Sequence, residues 1–512
     1  MSADSGGWFR QSLQKCCQSD DGFQWQGAGY REYQHVRLCA KKFSASIVNF
    51  LGDPIDCRLI TMVSFKAPTI KSCVTSLVSP ELPTIPENLH LAFSPADLAD
   101  LRIFTPVILL YETPVDSEFE TLVGNLKDSL RKVLVEYYPL AGRIAKGENG
   151  VAELLCDDRG AYFTQMVVEE TLEEFGGRDA CFGIMGMGAA NLKCEGFQVY
   201  TLNEYKEIPP LVIQVTLFKC KAVALAVNWH HQVADGVSGF SFLKAWSEVA
   251  RGLPITSPPD HRRHLMSARL PPHPLEGCPP EYRVLSAQPQ EHHAQKSTQS
   301  RKKVEITISG EEIQQLKKQA AEGSDSGPFS SGVCISAHLW KLVTAARGLN
   351  RDDSTSIFSV LDGRTRMKDF PMNYFGNCIF VRKAVSSVGD IVDMPLCQVA
   401  KLIHDSIHGA TDDYIRSVLD WFEVTGTQNI VHNRPSIGTH DLLPTFWRFF
   451  PIYELDFGFG KPTYGGRNSP PAGAAGFAAV SPTPSRDGSV LITVYLYPDA
   501  ADALISELGL GC

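Results

Sequence analysis

The sequence predicts an α/β protein built from two lobes. Runs of apolar and β-branched residues, typical of strands, alternate with stretches whose apolar residues recur at helical spacing. A proline-rich and then polar segment, residues 253–302, separates two such series. With 512 residues, of which 44% are hydrophobic, the chain is long enough to form two cores. We therefore expect an N-terminal lobe over residues 62–252, a crossover linker, and a C-terminal lobe over residues 303–512.

Residues 1–61 differ from the rest of the chain, because they carry scattered glycines and show no sustained hydrophobic period. We expect an irregular N-terminal extension, either a disordered tail or an over-extended gene model. A targeting or regulatory extension is the alternative. Acidic residues, among them Asp4, Asp20, Asp21 and Glu32, are unlike the acid-poor composition of a transit peptide.

The first lobe begins with strands and one long helix. Residues 74–82 predict a strand and a proline-rich connection. Residues 101–111 predict a strongly apolar strand, in which Pro106 favours an edge or a bend. Apolar residues at helical spacing predict a helix over residues 119–138, which Pro139 ends.

A hydrophobic hairpin leads into the most informative stretch of the chain. Residues 211–217 and 222–227 predict two buried antiparallel strands joined by a short turn. The sequence Trp229-His230-His231-Gln232-Val233-Ala234-Asp235-Gly236 follows, and apolar residues at helical spacing then continue to Gly252. Two histidines thus lie on a strand-to-helix bend, where a rigid scaffold holds side chains with one edge open to a ligand.

The second lobe repeats the alternation. Residues 303–308 predict a half-exposed strand and residues 310–321 an amphipathic helix. Residues 331–347 predict another helix, and residues 398–423 form a further helix-like stretch. Both halves of the chain therefore predict α/β structure.

The histidines on the bend allow two interpretations. His231 is either a buried structural histidine or a catalytic one, and the residues alone leave both open. The same spacing recurs at His408 and Asp412, where no strand precedes the histidine, so we expect solvated surface there. His292-His293 lies in the polar linker without a nearby cysteine, so we expect no metal site.

Composition excludes several classes of protein. The net charge of −9 and the absence of a long basic run argue against a nucleic-acid partner. No stretch of eighteen apolar residues is present that could span a bilayer. Fourteen cysteines, none spaced as Cys-x-x-Cys, favour free thiols in a reducing compartment, so we expect a cytoplasmic protein without bound metal.

Several separate stretches together resemble the plant BAHD acyltransferases. Their two signatures are similar to His231-Gln232-Val233-Ala234-Asp235-Gly236 and to Asp456-Phe457-Gly458-Phe459-Gly460, although Phe459 stands where tryptophan is usual. Further similar stretches are Tyr138-Pro139-Leu140-Ala141-Gly142-Arg143, Ala268-Arg269-Leu270-Pro271-Pro272, Asp362-Gly363-Arg364 and Tyr374-Phe375-Gly376-Asn377. The resemblance covers residues 62–512. It implies two chloramphenicol-acetyltransferase-like lobes with mixed sheets and a channel at their interface, with the histidine in its middle.

The resemblance also implies an activity, the transfer of an acyl group from a coenzyme A thioester to an acceptor. We expect a hydroxycinnamoyl donor and an alcohol acceptor, with acyl-CoA as co-substrate, no bound cofactor, and a monomeric enzyme. An imidazole is a suitable general base near neutral pH, which makes His231 the candidate base. A thiolate leaves readily, so a direct ternary-complex transfer suffices. An amine acceptor, a condensation domain and a catalytically silent binding protein are the alternatives.

The remaining site residues follow from the same resemblance. Asp235 is implied to pair with an arginine, for which Arg364 is the candidate, while Gly236 loosens the bend. Asp456 and Gly458 are implied to be structural and to lie away from the histidine.

Acceptor contacts are implied for two segments of the second lobe. Thr445 and Trp447 match positions that contact the acceptor and the tetrahedral intermediate, with a core tryptophan as the alternative for Trp447. His432 stands where transferases that accept shikimate carry an arginine. Arg434, two residues further along the chain, is the candidate to bind an acceptor carboxylate.

Overall fold

Two six-stranded mixed sheets form the framework of the computed structural model. The structure describes residues 69–99, 102–112, 118–148, 150–177, 207–284, 301–323, 327–427, 430–432, 439–467 and 475–509, and all of them belong to one compact unit. The extension predicted over residues 1–61 lies outside the described residues.

The first sheet contains the hairpin that leads to His231. In spatial order its strands are β1 (Ile70–Val78), β6 (Ala161–Val168), β8 (Leu211–Leu217), β9 (Val223–His230), β3 (Phe104–Tyr111) and β16 (Tyr464–Arg467). Strands β6 and β8 are parallel, and the other pairs are antiparallel. The predicted hairpin is confirmed, and β9 continues three residues beyond the predicted end at residue 227, up to His230.

The second sheet carries the residues that meet the histidine turn from the other half of the chain. Its strands, in order, are β11 (Lys302–Ile308), β18 (Val490–Leu496), β17 (Phe477–Pro482), β15 (Asp441–Phe446), β12 (Ser354–Asp362) and β13 (Ile379–Ser387). A four-stranded sheet comprises β2 (His90–Ala92), β5 (Ala152–Leu155), β4 (Arg143–Lys146) and β7 (Glu207–Ile208), and a two-stranded one comprises β10 (Tyr282–Val284) and β14 (Ile430–His432).

Helices cover the sheets and enclose two main cores. Their bounds are α1 (Pro95–Ala99), α2 (Phe119–Glu136), α3 (Gly236–Ala250), α4 (Gly310–Ala321), α5 (Ser331–Ala346), α6 (Val388–Asp393), α7 (Leu396–His408), α8 (Asp412–Thr425) and α9 (Pro498–Glu507). Buried apolar faces of α2 and α3 join the first core, and those of α4, α5, α7 and α9 join the second. Among the described residues, no helix is long and apolar enough to cross a membrane.

Residues of the second half of the chain complete the first sheet and the first core. Strand β16, from the second half, pairs with β3 of the first sheet. Trp447, Ile452, Tyr453, Leu455 and Phe457 join the first core as well. Residues C-terminal to 302 thus complete the first sheet. The division of the chain into two lobes at residues 253–302 stays a prediction.

Two local predictions need correction. Residues 398–423 contain two helices rather than one, because α7 ends before Gly409 and the Thr411 side chain caps the start of α8 by accepting from the Tyr414 N–H. Pro106 lies within β3, which is an inner strand. Pairing with β16 covers only residues 107–110 of β3, so Pro106 faces β9 alone within the described residues.

Candidate active site

His231 begins a tight turn at the end of β9. The His231 N–H donates to the carbonyl of Ile103 at 2.8 Å, so the turn starts while the chain still lies against β3. The Val233 N–H then donates to the carbonyl of His230 at 3.0 Å, which reverses the chain. His230 is fully buried and packs edge-on against Phe104, at 5.3 Å between ring centroids. The first histidine therefore packs, while the second stands on the turn.

The helix that follows the turn packs unusually close to Trp229. A Cβ atom placed on Gly239 would lie 2.2 Å from Cε2 of Trp229, well inside contact distance. The Trp229 indole N–H donates to the carbonyl of Ala234 at 3.0 Å, inside the turn. Gly239 thus permits a close approach that fixes the start of α3 relative to the end of β9.

Asp235 caps α3 and forms the buried ion pair expected from the resemblance. Its Oδ1 accepts from the Ser238 N–H at 2.9 Å and from Nη2 of Arg364 at 3.1 Å. Its Oδ2 accepts from Nη1 of Arg364 at 2.8 Å and from the Cys378 N–H at 2.9 Å. Both side chains of the pair are fully buried. Because both oxygens are occupied in this way, the carboxylate orders the bend between strand and helix.

Arg364 joins this bend to the second half of the chain. Its guanidinium donates to the carbonyls of Tyr374 and Gly376 at 3.0 and 3.2 Å, and to Oγ of Ser238 at 2.9 Å. Burial by itself would lower the pKa of Arg364, but the carboxylate of Asp235 raises it above the ordinary value. The arginine is therefore a permanent cation at the junction between the two sheets.

The backbone of the turn is held by residues that the sequence analysis did not single out as site residues. Asn377 donates to the carbonyl of His231, Arg263 donates to the carbonyl of Val233, and Asp97 accepts from both of these side chains. The stretch that contains Asn377 was part of the family resemblance. Asp97 and Arg263 carried no signal in the sequence.

Thr445 and Trp447 lie at the end of β15. The Thr445 Oγ1 atom is buried and has no hydrogen-bond partner among the described residues. Trp447 is 5% exposed and packs edge-on against Phe240 of α3, at 5.4 Å between ring centroids. Trp447 thus packs in the first core, beside the first turns of α3, and its contact with the tetrahedral intermediate stays a prediction.

A cleft of about 450 Å³ opens beside the same strand. It lies between α5, α7 and the ends of β12 and β15, and its lining includes Arg366, His404, His408 and Phe446. The rings of His404 and His408 stack at 5.4 Å between centroids. His408 is exposed, as predicted for solvated surface, but it also borders this cleft, which the sequence did not indicate.

The segment Asp456 to Gly460 forms a separate, tightly hydrogen-bonded loop. Oδ1 of Asp456 accepts from the N–H groups of Gly458 and Gly460 at 2.8 and 3.0 Å. Gly458 has a φ of +95°, which favours glycine. Phe457 packs on Trp246, ten residues beyond Gly236 and hence about 15 Å along α3. This loop therefore supports the far end of α3.

The structure does not describe the side chains of two residues of the predicted acceptor site. Arg434 lies outside the described residues, and of His432 only the backbone, in β14, is described. Within the described ranges, no group of three or more His, Cys, Asp and Glu side chains is placed to hold a metal ion.

The sequence is similar to that of known acyltransferases. Residues 69–507 match the sequence model of the transferase family. A shikimate O-hydroxycinnamoyltransferase of Nicotiana tabacum is 32% identical over 412 residues, which cover 79% of this chain and 91% of the relative. A hydroxycinnamoyl-CoA:5-hydroxyanthranilate N-hydroxycinnamoyltransferase of Avena sativa is 30% identical over 440 residues, which cover 84% and 96%.

Solved structures share the fold. Vinorine synthase matches with a TM-score of 0.65 at 23% identity, over 85% of this chain and 97% of that chain. F. graminearum TRI101, complexed with coenzyme A and deoxynivalenol, matches with a TM-score of 0.64 at 18% identity, over 81% and 97%. The predicted α/β fold with two sheet-rich domains is thereby confirmed.

Proposed function

The chain belongs to the transferase family of plant BAHD acyltransferases, which are CoA-dependent enzymes, and from this membership we propose that it transfers a hydroxycinnamoyl group from a coenzyme A thioester to an alcohol. The observation that carries the proposal is the placement of His231. It stands on a turn between β9 and α3 whose Asp235 is fully engaged with Arg364. The aspartate therefore secures the turn, and the imidazole is the group assigned to the chemistry.

The proposed reaction is one direct displacement with a tetrahedral intermediate. The acceptor oxygen attacks the thioester carbonyl carbon while His231 takes the hydroxyl proton. The C–S bond then breaks, and the proton passes to the departing thiolate of coenzyme A. No acyl-enzyme is needed. Burial raises the pKa of the nearby Cys378 thiol well above its ordinary value, which disfavours that thiol as a nucleophile.

Thr445 is the proposed contact to the acceptor or the intermediate. A buried hydroxyl without a partner in the described residues is available to a ligand, and hydrogen bonding to substrate would satisfy it. Trp447 shapes the site by packing against Phe240, and its indole is the second candidate donor to the oxyanion.

The cleft beside β15 suits part of coenzyme A. Arg366, His404 and His408 line it, and these side chains can donate hydrogen bonds to phosphate oxygens. The first turn of the sixteen-residue helix α5 also contributes to the lining, and a helix N-terminus favours negative charge. The cleft volume of about 450 Å³ fits a portion of this co-substrate rather than all of it.

An amine acceptor is the second candidate, because one relative is named as an N-hydroxycinnamoyltransferase and another as an O-hydroxycinnamoyltransferase. The general base acts in the same way on either nucleophile. A silent binding protein on the same fold, the other alternative, would show thioester binding without turnover.

Thiol release tests these candidates. The full chain is given p-coumaroyl-CoA and a pooled panel of shikimate, quinate, malate, amines and fatty alcohols, with His231→Ala in parallel. We expect acceptor-dependent release that falls at least 100-fold in His231→Ala and persists in His90→Ala, a control at an exposed histidine of β2. Equal activity of His231→Ala would exclude this base. Thioester binding without release by either protein would favour the silent binding protein.

A further inference from the structure

Side chains from distant parts of the chain hold the carbonyl groups of the histidine turn. Nδ2 of Asn377 donates to the carbonyl of His231 at 2.8 Å, and Nη2 of Arg263 donates to the carbonyl of Val233 at 2.8 Å. The carbonyl of Ala234 is taken by the Trp229 indole. A turn whose carbonyls are held at three positions has little freedom to shift.

Asp97 ties two of these donors together. Its Oδ1 accepts from the backbone N–H of Asn377 at 2.9 Å and from Nδ2 at 3.0 Å. Its Oδ2 accepts from Nη1 of Arg263 at 2.5 Å and from Oγ of Ser94 at 2.8 Å. Asp97 and Asn377 are fully buried, and Arg263 is 5% exposed. Through Asp97, the three side chains form one connected network beside the turn.

The network draws on segments that are far apart along the chain. Asp97 lies on α1, Arg263 lies in a 3₁₀ turn of the predicted linker, and Asn377 precedes β13. Asp97 and Asn377 are separated by 280 residues. A buried ion pair contributes little net stability, because desolvation opposes the attraction between the charges. Because the Asp97–Arg263 ion pair lies beside the histidine turn, its main effect is on the geometry of that turn.

We infer that Asp97, Arg263 and Asn377 are positioning residues that fix His231 for proton transfer, an inference that rests on the proposed function. A base must lie within hydrogen-bond reach of the acceptor proton, and a displacement of about 1 Å can lower the rate about 100-fold. Asn377 acts on the backbone of His231 itself, so it is the most direct of the three.

Kinetics of Asn377→Ala provide the first test. We expect kcat to fall about 10- to 100-fold, while KM for p-coumaroyl-CoA stays within about twofold. Asp97→Asn, which keeps the side-chain size but removes the charge, should show a smaller fall of the same kind. Because both changes act through one turn, the double variant should lose no more than about the larger single loss.

The matched control is Asp420→Asn. Asp420 is also fully buried and paired with an arginine, Arg269 at 2.7 Å, but it caps backbone N–H groups of Arg269 and His273 rather than touching the histidine turn. Its loss should lower the melting temperature and leave kcat of the folded enzyme within about twofold. A similar fall of kcat in this control would show that general destabilisation, not positioning, explains the kinetics.

Hydrogen exchange provides a second test that needs no turnover. We expect peptides covering residues 229–238 to exchange several-fold faster in Asn377→Ala and Asp97→Asn than in the wild type, and at the wild-type rate in Asp420→Asn. Unchanged exchange of these peptides would overturn the inference, whether or not the enzyme is active. Absent thiol release by the wild type would count against the proposed function alone.

Discussion

At the scale of single residues, the carboxylate of Asp235 serves four donors from three parts of the chain. Removing it leaves the Arg364 guanidinium buried without its main counter-charge, which costs far more than an exposed ion pair. The net contribution of the ion pair to stability is smaller than the cost of removing only one of its two charges. This asymmetry gives different expectations for substitutions at the same position.

We predict that Asp235→Ala destabilises the fold by about 3–5 kcal/mol, whereas Asp235→Asn is milder because an amide oxygen still accepts from the Ser238 N–H. Urea unfolding measures both. The comparison variant is Asp362→Asn, which weakens the second, 26% exposed partner of Arg364 and should cost about 1 kcal/mol or less. An Asp235→Ala protein that unfolds at the wild-type urea concentration would contradict this account.

The sequence predicts a site residue only where that residue belongs to a local spacing pattern or to a family motif. The histidine-to-aspartate spacing on a strand-to-helix bend marked His231 and Asp235, and the resemblance supplied Arg364. Asp97 and Arg263 are bonded to each other although they lie 166 residues apart, and hydrophobic periodicity does not predict such a contact. The resemblance indicates Thr445, but only the structure shows that its buried hydroxyl has no hydrogen-bond partner among the described residues.

At the scale of elements, the contact between β9 and α3 depends on the absence of a side chain. The Trp229 ring occupies the space beside Gly239, and the ring is itself fully buried. Neither the ring nor the helix can move without disturbing the first core, because Phe240, the next residue of α3, also packs on Trp229.

We predict that Gly239→Ala destabilises the protein by about 1–3 kcal/mol, since its Cβ would overlap the Trp229 ring. Gly124→Ala is the matched change in α2, where a Cβ would have no atom of the described residues within 4 Å. There the higher helix propensity of alanine should add up to about 1 kcal/mol. Thermal unfolding of the two variants should therefore shift in opposite directions. Equal shifts would show that glycine is not required for the packing of α3.

The sequence predicts helices and strands with a clear hydrophobic period well, but it does not predict where a short break divides one helix from the next. The bounds of α4 match the prediction, because the residues that cap it also end its period. The sequence does not predict the break between α7 and α8, since apolar residues recur on both sides of Gly409 and Thr411. The cap formed by Thr411 decides the boundary there, and this interaction involves a single side chain.

At the scale of the whole molecule, the two sheets are not independent. Strand β16 completes the first sheet, and residues 447–457 contribute five buried apolar side chains to the first core. The histidine turn belongs to the first half of the chain, but Arg364 and Asn377, which hold it, belong to the second. Residues of the second half therefore complete both the first sheet and the surroundings of the histidine turn.

We predict that a fragment of residues 62–302 does not fold cooperatively on its own, because it lacks β16 and leaves β3 and part of the first core uncovered. Circular dichroism during thermal unfolding measures this, and co-expression with residues 303–512 should restore a cooperative transition. A cooperative transition of the isolated fragment would show that β16 is dispensable and that the predicted lobe boundary also separates folding units.

Strand β15 also bears on how such an enzyme can diversify. Side chains of a strand alternate between its two faces, so Pro444 and Phe446 border the cleft while Thr445, between them, faces the other way. Under the proposed function, adjacent residues of one strand then contribute separately to recognition of the donor and of the acceptor. Mutation can replace one specificity while the other is retained, and the histidine turn, held by other segments, need not change.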